Sequence, residues 1–225
     1  MTHWKRIIGS LLVTLPLIHA PNLQADADGK AFEVTITNIT KGEIFTPIMV
    51  ASHRHDVRLF EAGSPASPEL EMLAEGGDTG PLSDKLLDDG ALDVVTTGGV
   101  LPPGQSVTVH VRTNHLHNHV SMAAMLVPTN DAFVAVNGAR GPGLYRSRTI
   151  MSPAYDAGTE TNDELCVSIP GPPFICAGEG YSANGGEGYV YIHPGIHGIG
   201  DLIAADHDWN NPVAKVTIRQ VRYTD

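Results

Sequence analysis

The sequence predicts an all-β fold, an antiparallel β-sandwich with a few short helices in its connections. Several segments alternate apolar and polar residues with a period of two, which is typical of half-buried strands. Turn-forming residues separate these segments, since the 225 residues include 24 glycines and 16 prolines. The apolar content of 42% is sufficient for a packed core. Only one region, between residues 65 and 89, has helical character.

The predicted strands are rich in β-branched residues and are bounded by turns. The clearest alternation places Val107, Val109 and Val111 on one face, between polar neighbours. Pro47 places its segment at a sheet edge or near a strand start, because proline cannot donate a ladder hydrogen bond. Asn137 and Gly138 form a dipeptide that is typical of hairpin turns. The predicted strands cover residues 31–39, 45–51, 106–112, 120–127, 133–136, 188–193 and 213–221.

The helical region contains two short helix patterns. Ser67 is a predicted N-cap with a proline directly after it, and Gly76 and Gly77 end this first pattern. Ser83 is the predicted cap of a second, shorter turn. We expect both helices to lie across an end of the sheet, outside the core.

Residues 1–25 are predicted to be a secretory signal peptide. Two basic residues precede an apolar run at 7–18, which is too short to span a membrane. Cleavage is predicted after Ala20 or Ala25. The remainder, residues 26–225, is predicted to form one domain, because it contains no charged linker and no internal repeat. The chain is therefore expected to be exported.

The charge balance excludes several classes of partner. Lysine and arginine total 14 against 25 aspartates and glutamates, which gives a net charge of −11. Such a chain repels nucleic acid and anionic membrane surfaces. A cationic partner, including a divalent metal ion, fits the sign of the charge.

Cys166 and Cys176 are predicted to form a structural disulfide. They are the only two cysteines, and paired thiols persist as disulfides in exported proteins. They enclose a short, proline-rich loop. A redox or metal-binding pair is disfavoured, because the spacing is not Cys-x-x-Cys.

Two acidic turns are the candidates for a cation site. Asp131 follows a polar turn between two apolar segments, and Asp156 and Glu160 flank a glycine-containing turn. Calcium binds six to eight hard oxygens, which short loops supply from carboxylates and backbone carbonyls. Ordinary solvated turns remain an alternative, because Asp, Asn, Gly and Thr are common turn residues. Asp163 and Glu164 are interpreted as charged residues of a lid.

Two histidine clusters suggest a transition-metal site instead. His115, His117 and His119 share one face if their segment is extended, and His193 and His197 have ligand-like spacing. A polar turn and loop packing are the alternatives for the two clusters. Residues 206–209 could hold an acid–base pair, but no serine stands in a Gly-x-Ser-x-Gly nucleophile elbow. The sequence therefore favours a protein that is not an enzyme.

Several motifs resemble the spondin domain family in its bacterial form. The most specific are Pro-Thr-Asn-Asp-Ala-Phe-Val, which contains Asp131, and Asp-Ala-Gly-Thr-Glu, which runs from Asp156 to Glu160. The resemblance covers about residues 31–222 in order and spacing, with its motifs at 32–40, 45–47, 73–77, 127–134, 155–160 and 211–218.

The resemblance implies a sandwich similar to C2 domains, with one calcium ion held by loops at one end. Carried over, the ligands are Asp131, Asp156 and Glu160. Two positions depart from the family pattern: Ala132 replaces an aromatic residue, and Glu160 replaces an aspartate. Since calcium accepts glutamate readily, the second departure affects geometry more than binding. Residues 163–187, with the disulfide, follow the site and are expected to form its lid.

The implied function is that of an exported, calcium-binding surface or matrix interaction module of the adhesion type. Its partner would be an extracellular or surface protein or glycan, and a monomer is expected. The alternative is a periplasmic transition-metal protein, or a metal-dependent hydrolase, that uses the histidine clusters.

Overall fold

The computed structural model describes residues 29–181 and 185–222. The predicted signal peptide and its cleavage sites lie outside these residues. The described residues form eleven strands and three helices. In chain order they are β1 Lys30–Asn38, β2 Ile44–Phe45, β3 Met49–His53, α1 Pro68–Gly76, α2 Gly80–Asp88, β4 Asp93–Thr96, β5 Ser106–Arg112, β6 His119–Val127, β7 Ala132–Arg140, β8 Ser147–Ser152, β9 Ala154–Asp156, β10 Tyr191–Ile192, α3 Ala204–His207 and β11 Ala214–Arg222.

The strands form two antiparallel sheets, which confirms the predicted sandwich. One sheet has the order β5-β1-β11-β8, and the other has the order β10-β9-β7-β6-β3-β4, with β2 paired to β6. Alternate residues of the facing strands fill the space between the sheets, including Phe32, Ile36, Met122 and Ile218. The alternation in β1, β5, β6 and β11 is thus the pattern of strands with one face in this core.

A second apolar cluster lies on the outer face of the β6–β7 sheet, and it corrects the predicted role of the helices. Leu70 and Leu73 of α1 and Leu82 and Leu86 of α2 are buried against Phe133 and its neighbours. Both faces of β6 are therefore covered, and its burial is nearly continuous from end to end. The helices belong to the core because the sheet has two apolar faces.

The first helix has the predicted ends. The Ser67 side chain accepts a hydrogen bond from the Leu70 amide, and Gly77 ends the helix at φ 67°. The second helix differs, since α2 begins at Gly80 and Ser83 instead donates its hydroxyl to the Thr79 carbonyl. None of the described helices is long and apolar enough to cross a membrane.

Several strand boundaries differ from the prediction. Asn137 and Gly138 do not form a hairpin turn, because they lie inside β7 where its register with β6 shifts. The Asn137 side chain bonds the Leu59 amide and the Phe60 carbonyl, which holds this irregularity in place. The predicted strand at 45–51 is interrupted around Pro47, and the one at 188–193 shrinks to Tyr191–Ile192. The short strands β4, β8 and β9 were not predicted.

Candidate functional site

Asp131 and Asp156 come together at the ends of two paired strands. Asp131 immediately precedes β7, and the first residue of β7, Ala132, pairs with Asp156 at the end of β9. Both aspartates have 0% of their surface exposed. The antiparallel pairing thus joins the two acidic turns that the sequence singles out.

One oxygen of Asp131 is fully engaged by the turn after β9. Its Oδ2 accepts hydrogen bonds from the Thr159 amide at 2.8 Å and from the Glu160 amide at 3.1 Å. Its Oδ1 is buried, and no donor in the described part of the chain reaches it. A buried carboxylate oxygen without a donor is destabilising unless it meets a cation or a proton.

The turn that carries Glu160 depends on a glycine. Gly158 has φ 68°, and a Cβ there would lie 2.3 Å from the Tyr189 carbonyl oxygen. Asp156 Oδ1 accepts the Gly158 amide at 2.7 Å, which closes the turn. Any larger residue at 158 would displace the segment that covers the turn.

The other oxygen of Asp156 belongs to a hydrogen-bond relay. Asn162 Nδ2 donates to Asp156 Oδ2 at 2.6 Å, and the Tyr191 hydroxyl also bonds this carboxylate. His193 Nδ1 accepts the Gly195 amide at 3.0 Å, so the ring proton lies on Nε2 and is donated to Asn162 Oδ1 at 3.1 Å. Burial lowers the pKa of His193 to about 4. The imidazole is therefore neutral and does not balance the charge of Asp156.

The electrostatics of the pair are unfavourable for two bare carboxylates. Burial and, to a smaller extent, the charge of Asp156 raise the pKa of Asp131 to about 8, although the two amide hydrogen bonds act to lower it. Burial likewise raises the pKa of Asp156. Ionising both groups requires a nearby positive charge.

Glu160 is held beside this pair by its main chain. It is nearly buried, and it forms an isolated bridge with Gly185 in addition to the bond from its amide to Asp131. Within residues 29–181 and 185–222, however, no three His, Cys, Asp or Glu side chains are gathered closely enough to hold a metal ion. The two aspartates are thus adjacent, whereas a complete set of three ligands is not assembled.

Glu75 is a further acidic residue at this site to which the sequence assigns no role. It is buried near the end of α1, which packs on β6 and β7, and its charge also raises the pKa of Asp131. The only sequence feature that could have drawn attention to Glu75 is its position directly before the glycines that end the helix. The sequence pattern alone does not indicate which acids in an amphipathic helix are buried.

The sequence suggests that Asp163 and Glu164 are charged lid residues, but their carboxylates form hydrogen bonds within the protein. Glu164 is buried, and its carboxylate accepts the His197 amide at 2.6 Å and the Ile199 amide at 2.9 Å. Asp163 Oδ1 accepts Asn130 Nδ2 at 3.1 Å. Asp163 therefore connects the lid to the turn before β7, and Glu164 connects it to the loop at residues 197–199.

The segment that follows the site packs onto its turn, as expected of a lid. Thr161 Oγ1 donates to the Gly185 carbonyl at 2.6 Å, and the Gly188 amide donates to the Gly158 carbonyl at 2.8 Å. The predicted disulfide between Cys166 and Cys176 is confirmed, with 4.8 Å between the Cα atoms. Residues 182–184 of the predicted lid lie outside the described residues.

In the described part of the chain, the histidine clusters form the polar turn and the loop packing that the sequence also allowed, and not a transition-metal site. Asn114 Oδ1 accepts the Leu116 and His117 amides, so the segment is a turn and does not present three imidazoles on one face. His119 instead lies beside His53, with ring centroids 6.4 Å apart. In the second cluster, both ring nitrogens of His193 already have hydrogen-bond partners.

Residues 206–209 do not form an acid–base pair, and Trp209 is buried. His207 Nδ1 lies 3.3 Å from Glu43 Oε1, and Asp206 lies 3.9 Å from Lys41 Nζ. The histidine is thus engaged with a distant glutamate and not with its neighbouring aspartates.

Comparison with known proteins gives one family match. The family model Spondin_N matches residues 36–164, which is more than half of the chain. The matched stretch begins in β1 and contains Glu75, Asp131, Asp156 and Glu160. No curated protein matches the chain.

Proposed function

Because the chain belongs to the spondin N-terminal domain family, we propose that it is an exported calcium-binding module that contacts an extracellular or surface partner. The observation that carries the proposal is the buried Asp131 Oδ1, which no donor among the described residues reaches and which adjoins a second buried carboxylate. A cation placed there would satisfy the oxygen and remove the repulsion between Asp131 and Asp156.

The donor set suits calcium better than a soft metal. The charged groups at the site are carboxylates, accompanied by the side chains of Asn162 and Tyr191, and calcium prefers such oxygen ligands. The nearest imidazole, His193, is occupied at both nitrogens. Asp131, Asp156 and Glu160 are the proposed side-chain ligands, and Glu75 is placed to add negative charge.

Calcium would supply charge neutralisation and crosslinking, not catalysis. The two aspartates belong to the start of β7 and the end of β9, and Glu160 belongs to the turn under the covering segment. Holding these three together would stabilise the loops at one end of the sandwich. Those loops, which include the disulfide, would then form a rigid contact surface for a partner. The disulfide is consistent with an exported protein.

The test is thermal unfolding of the mature protein in calcium and in chelator. A ligand at a hundred times its Kd stabilises the folded state by about 2.7 kcal/mol, so calcium should raise Tm by several degrees. Asp156→Ala should abolish this increase, whereas Asp84→Ala, which removes an exposed acid of α2, should retain it. A wild-type Tm that is the same in calcium and chelator would refute the site.

Metal analysis of protein purified without a histidine tag addresses the alternative. Calcium at one equivalent, lost in Asp156→Ala, would agree with the proposal. Zinc or copper at one equivalent would instead favour the histidine-based transition-metal protein.

A further inference from the structure

The open side of the sandwich contains a groove between β7 and β8, which extends along β7 from Ala135 to Arg140. Its volume is about 430 Å³. Residues of both strands line it, and no Asp or Glu of the described chain does so. Its lining includes Ala135, Asn137, Arg140, Arg148, Ile150 and Tyr155.

Two strand edges without a neighbouring strand border this groove. Strand β7 pairs with β9 only from Ala132 to Val134, so beyond this point only its β6 side is paired. Strand β8 pairs with β11 and has no strand on its other side among the described residues. Such edges present main-chain donors and acceptors that an added extended chain can use.

Two hydrogen bonds connect β8 to β7 and set the distance between the two edges. Ser152 Oγ donates to the Ala135 carbonyl at 2.6 Å, and Arg148 Nη1 donates to the Arg140 carbonyl at 2.9 Å. They tie β8 to the two ends of the unpaired part of β7. The groove between them is therefore preformed.

Two exposed arginines, Arg140 and Arg148, line the groove, and a third, Arg146, lies in the turn before β8. In the part of the chain that the structure describes, Arg140, Arg146 and Arg148 form no ion pair with a carboxylate, although acids outnumber bases by 25 to 14. Five basic residues elsewhere do pair with carboxylates, namely Lys41–Asp206, Arg54–Asp56, Lys85–Asp89, Arg112–Asp93 and Arg219–Glu33. The groove is thus a local cationic surface on an acidic protein.

The turn that leads into β8 holds an exposed tyrosine in an unfavourable conformation. Tyr145 has φ 59° and is 63% exposed. Its amide donates to the Gln220 carbonyl, and the Gln220 amide donates to the Arg146 carbonyl. Left-handed backbone at a non-glycine residue is retained where surrounding contacts enforce it, often at binding sites. Tyrosine and arginine are also the residues that dominate binding surfaces.

We propose that the β7–β8 groove binds an extended, acidic peptide segment of a partner protein. The segment would add alongside an unpaired strand edge and place its carboxylates on Arg140 and Arg148. Tyr145 would cover its apolar side chains. The planar guanidinium groups suit bidentate carboxylate contacts. A peptide fits better than an anionic polysaccharide, because only a peptide can form main-chain hydrogen bonds with a strand edge.

The inference does not depend on calcium, and it is tested in the presence of chelator. The probe is a short fluorescein-labelled peptide of alternating glutamate and valine, and its binding to the mature protein is measured by fluorescence anisotropy. Two comparison peptides replace glutamate by lysine or carry N-methyl groups on alternate amides. The variant is Arg140→Gln/Arg148→Gln, and the matched control is Arg54→Gln/Arg112→Gln, which removes arginines that already have partners.

We expect the acidic peptide to bind, with affinity that falls as salt rises. The groove variant should weaken binding about tenfold or more, because it removes two charge contacts and a tenfold change in Kd corresponds to only about 1.4 kcal/mol. The control variant should bind as the wild type does. Arg146→Gln, an exposed single substitution, should give a smaller loss and serves if the double variant unfolds.

Three results would overturn the inference. One is the absence of binding by the acidic peptide, and another is equal binding to the groove and control variants. The third is undiminished binding of the N-methylated peptide together with equal competition by heparin, which would indicate a general anion site without strand addition.

Discussion

Asp131 and Glu43 are both fully buried carboxylates, yet their surroundings give them different roles. Each has one oxygen without a hydrogen-bond donor in the described structure, Asp131 Oδ1 and Glu43 Oε2. Burial raises the pKa of Asp131 to about 8 and that of Glu43 to about 7. The neighbour of Asp131 is another acid, Asp156, whereas the neighbour of Glu43 is His207. The sign of the adjacent charge separates a candidate ligand site from a structural contact.

Glu43 has the environment of a structural contact. Asn38 Nδ2 donates to the Glu43 carbonyl at 2.7 Å, and the Glu43 carboxylate meets His207 Nδ1 at 3.3 Å. Beside it, Lys41 donates to the Ala205 carbonyl. These contacts join the turn after β1 to α3, and they give the Glu43 carboxylate a partner within the protein.

Among the variants that test this difference, Asp131→Asn is expected to have the largest effect. If calcium balances the carboxylates at this site, the variant should lose most of the calcium-dependent stabilisation, which is about 2.7 kcal/mol at a hundredfold excess over Kd. In chelator it should be at least as stable as the wild type, because one of two repelling charges is gone. Denaturant unfolding in both conditions measures the two effects.

Glu43→Gln is the matched control, because it also neutralises a buried acid. It should leave the calcium-dependent stabilisation unchanged. Equal losses in the two variants would mean that calcium acts through the overall charge of the protein and not through Asp131.

The second prediction concerns pH and uses the same Glu43 substitution. The folded pKa of Glu43, about 7, lies above the ordinary value of 4.5. The hydrogen bond between Glu43 and His207 also raises the pKa of His207. The folded state therefore holds more protons than the unfolded state, and its stability should decrease as pH rises through this range. Glu43→Gln should be close to the wild type near pH 5 and more stable by about 2 kcal/mol near pH 8.

The comparison with Asp206→Asn makes this prediction specific. Asp206 lies beside His207 but is exposed and pairs with Lys41. Its substitution should preserve the wild-type decrease in unfolding free energy between pH 5 and pH 8. If Glu43→Gln keeps the same slope as Asp206→Asn, the buried carboxylate does not control this pH dependence.

The sequence predicted the parts of the fold in which one strand face is apolar. Alternation identified β1, β5, β6 and β11, because each has one face in the core between the sheets. It missed β8, which is an exposed edge strand with little apolar periodicity. It also missed that α1 and α2 complete a second core, because caps define where a helix lies in the sequence but not which surface it covers.

The site was predictable where the motif is local and not where its contacts are long-range. Asp156 and Glu160 belong to one turn, whereas Asp131 reaches them through the pairing of β7 with β9, a strand that was not predicted. Glu75 reaches the site through helix packing, which sequence spacing does not reveal. Glu164 bonds amides more than thirty residues away, and nothing in its local sequence indicates those partners.

Glu164 adds a third buried carboxylate to the comparison and the smallest expected effect. It lies near the candidate site, but both of its oxygens accept main-chain amides, from His197 and Ile199. A cation is therefore not needed there. In Glu164→Gln the amide group can accept only one of these bonds and opposes the other, so we expect a loss of about 1 kcal/mol. The loss should be equal in calcium and in chelator, as measured by denaturant unfolding. A loss confined to calcium would instead make Glu164 part of the cation site and would break the distinction between buried acids that the protein satisfies and those that it does not.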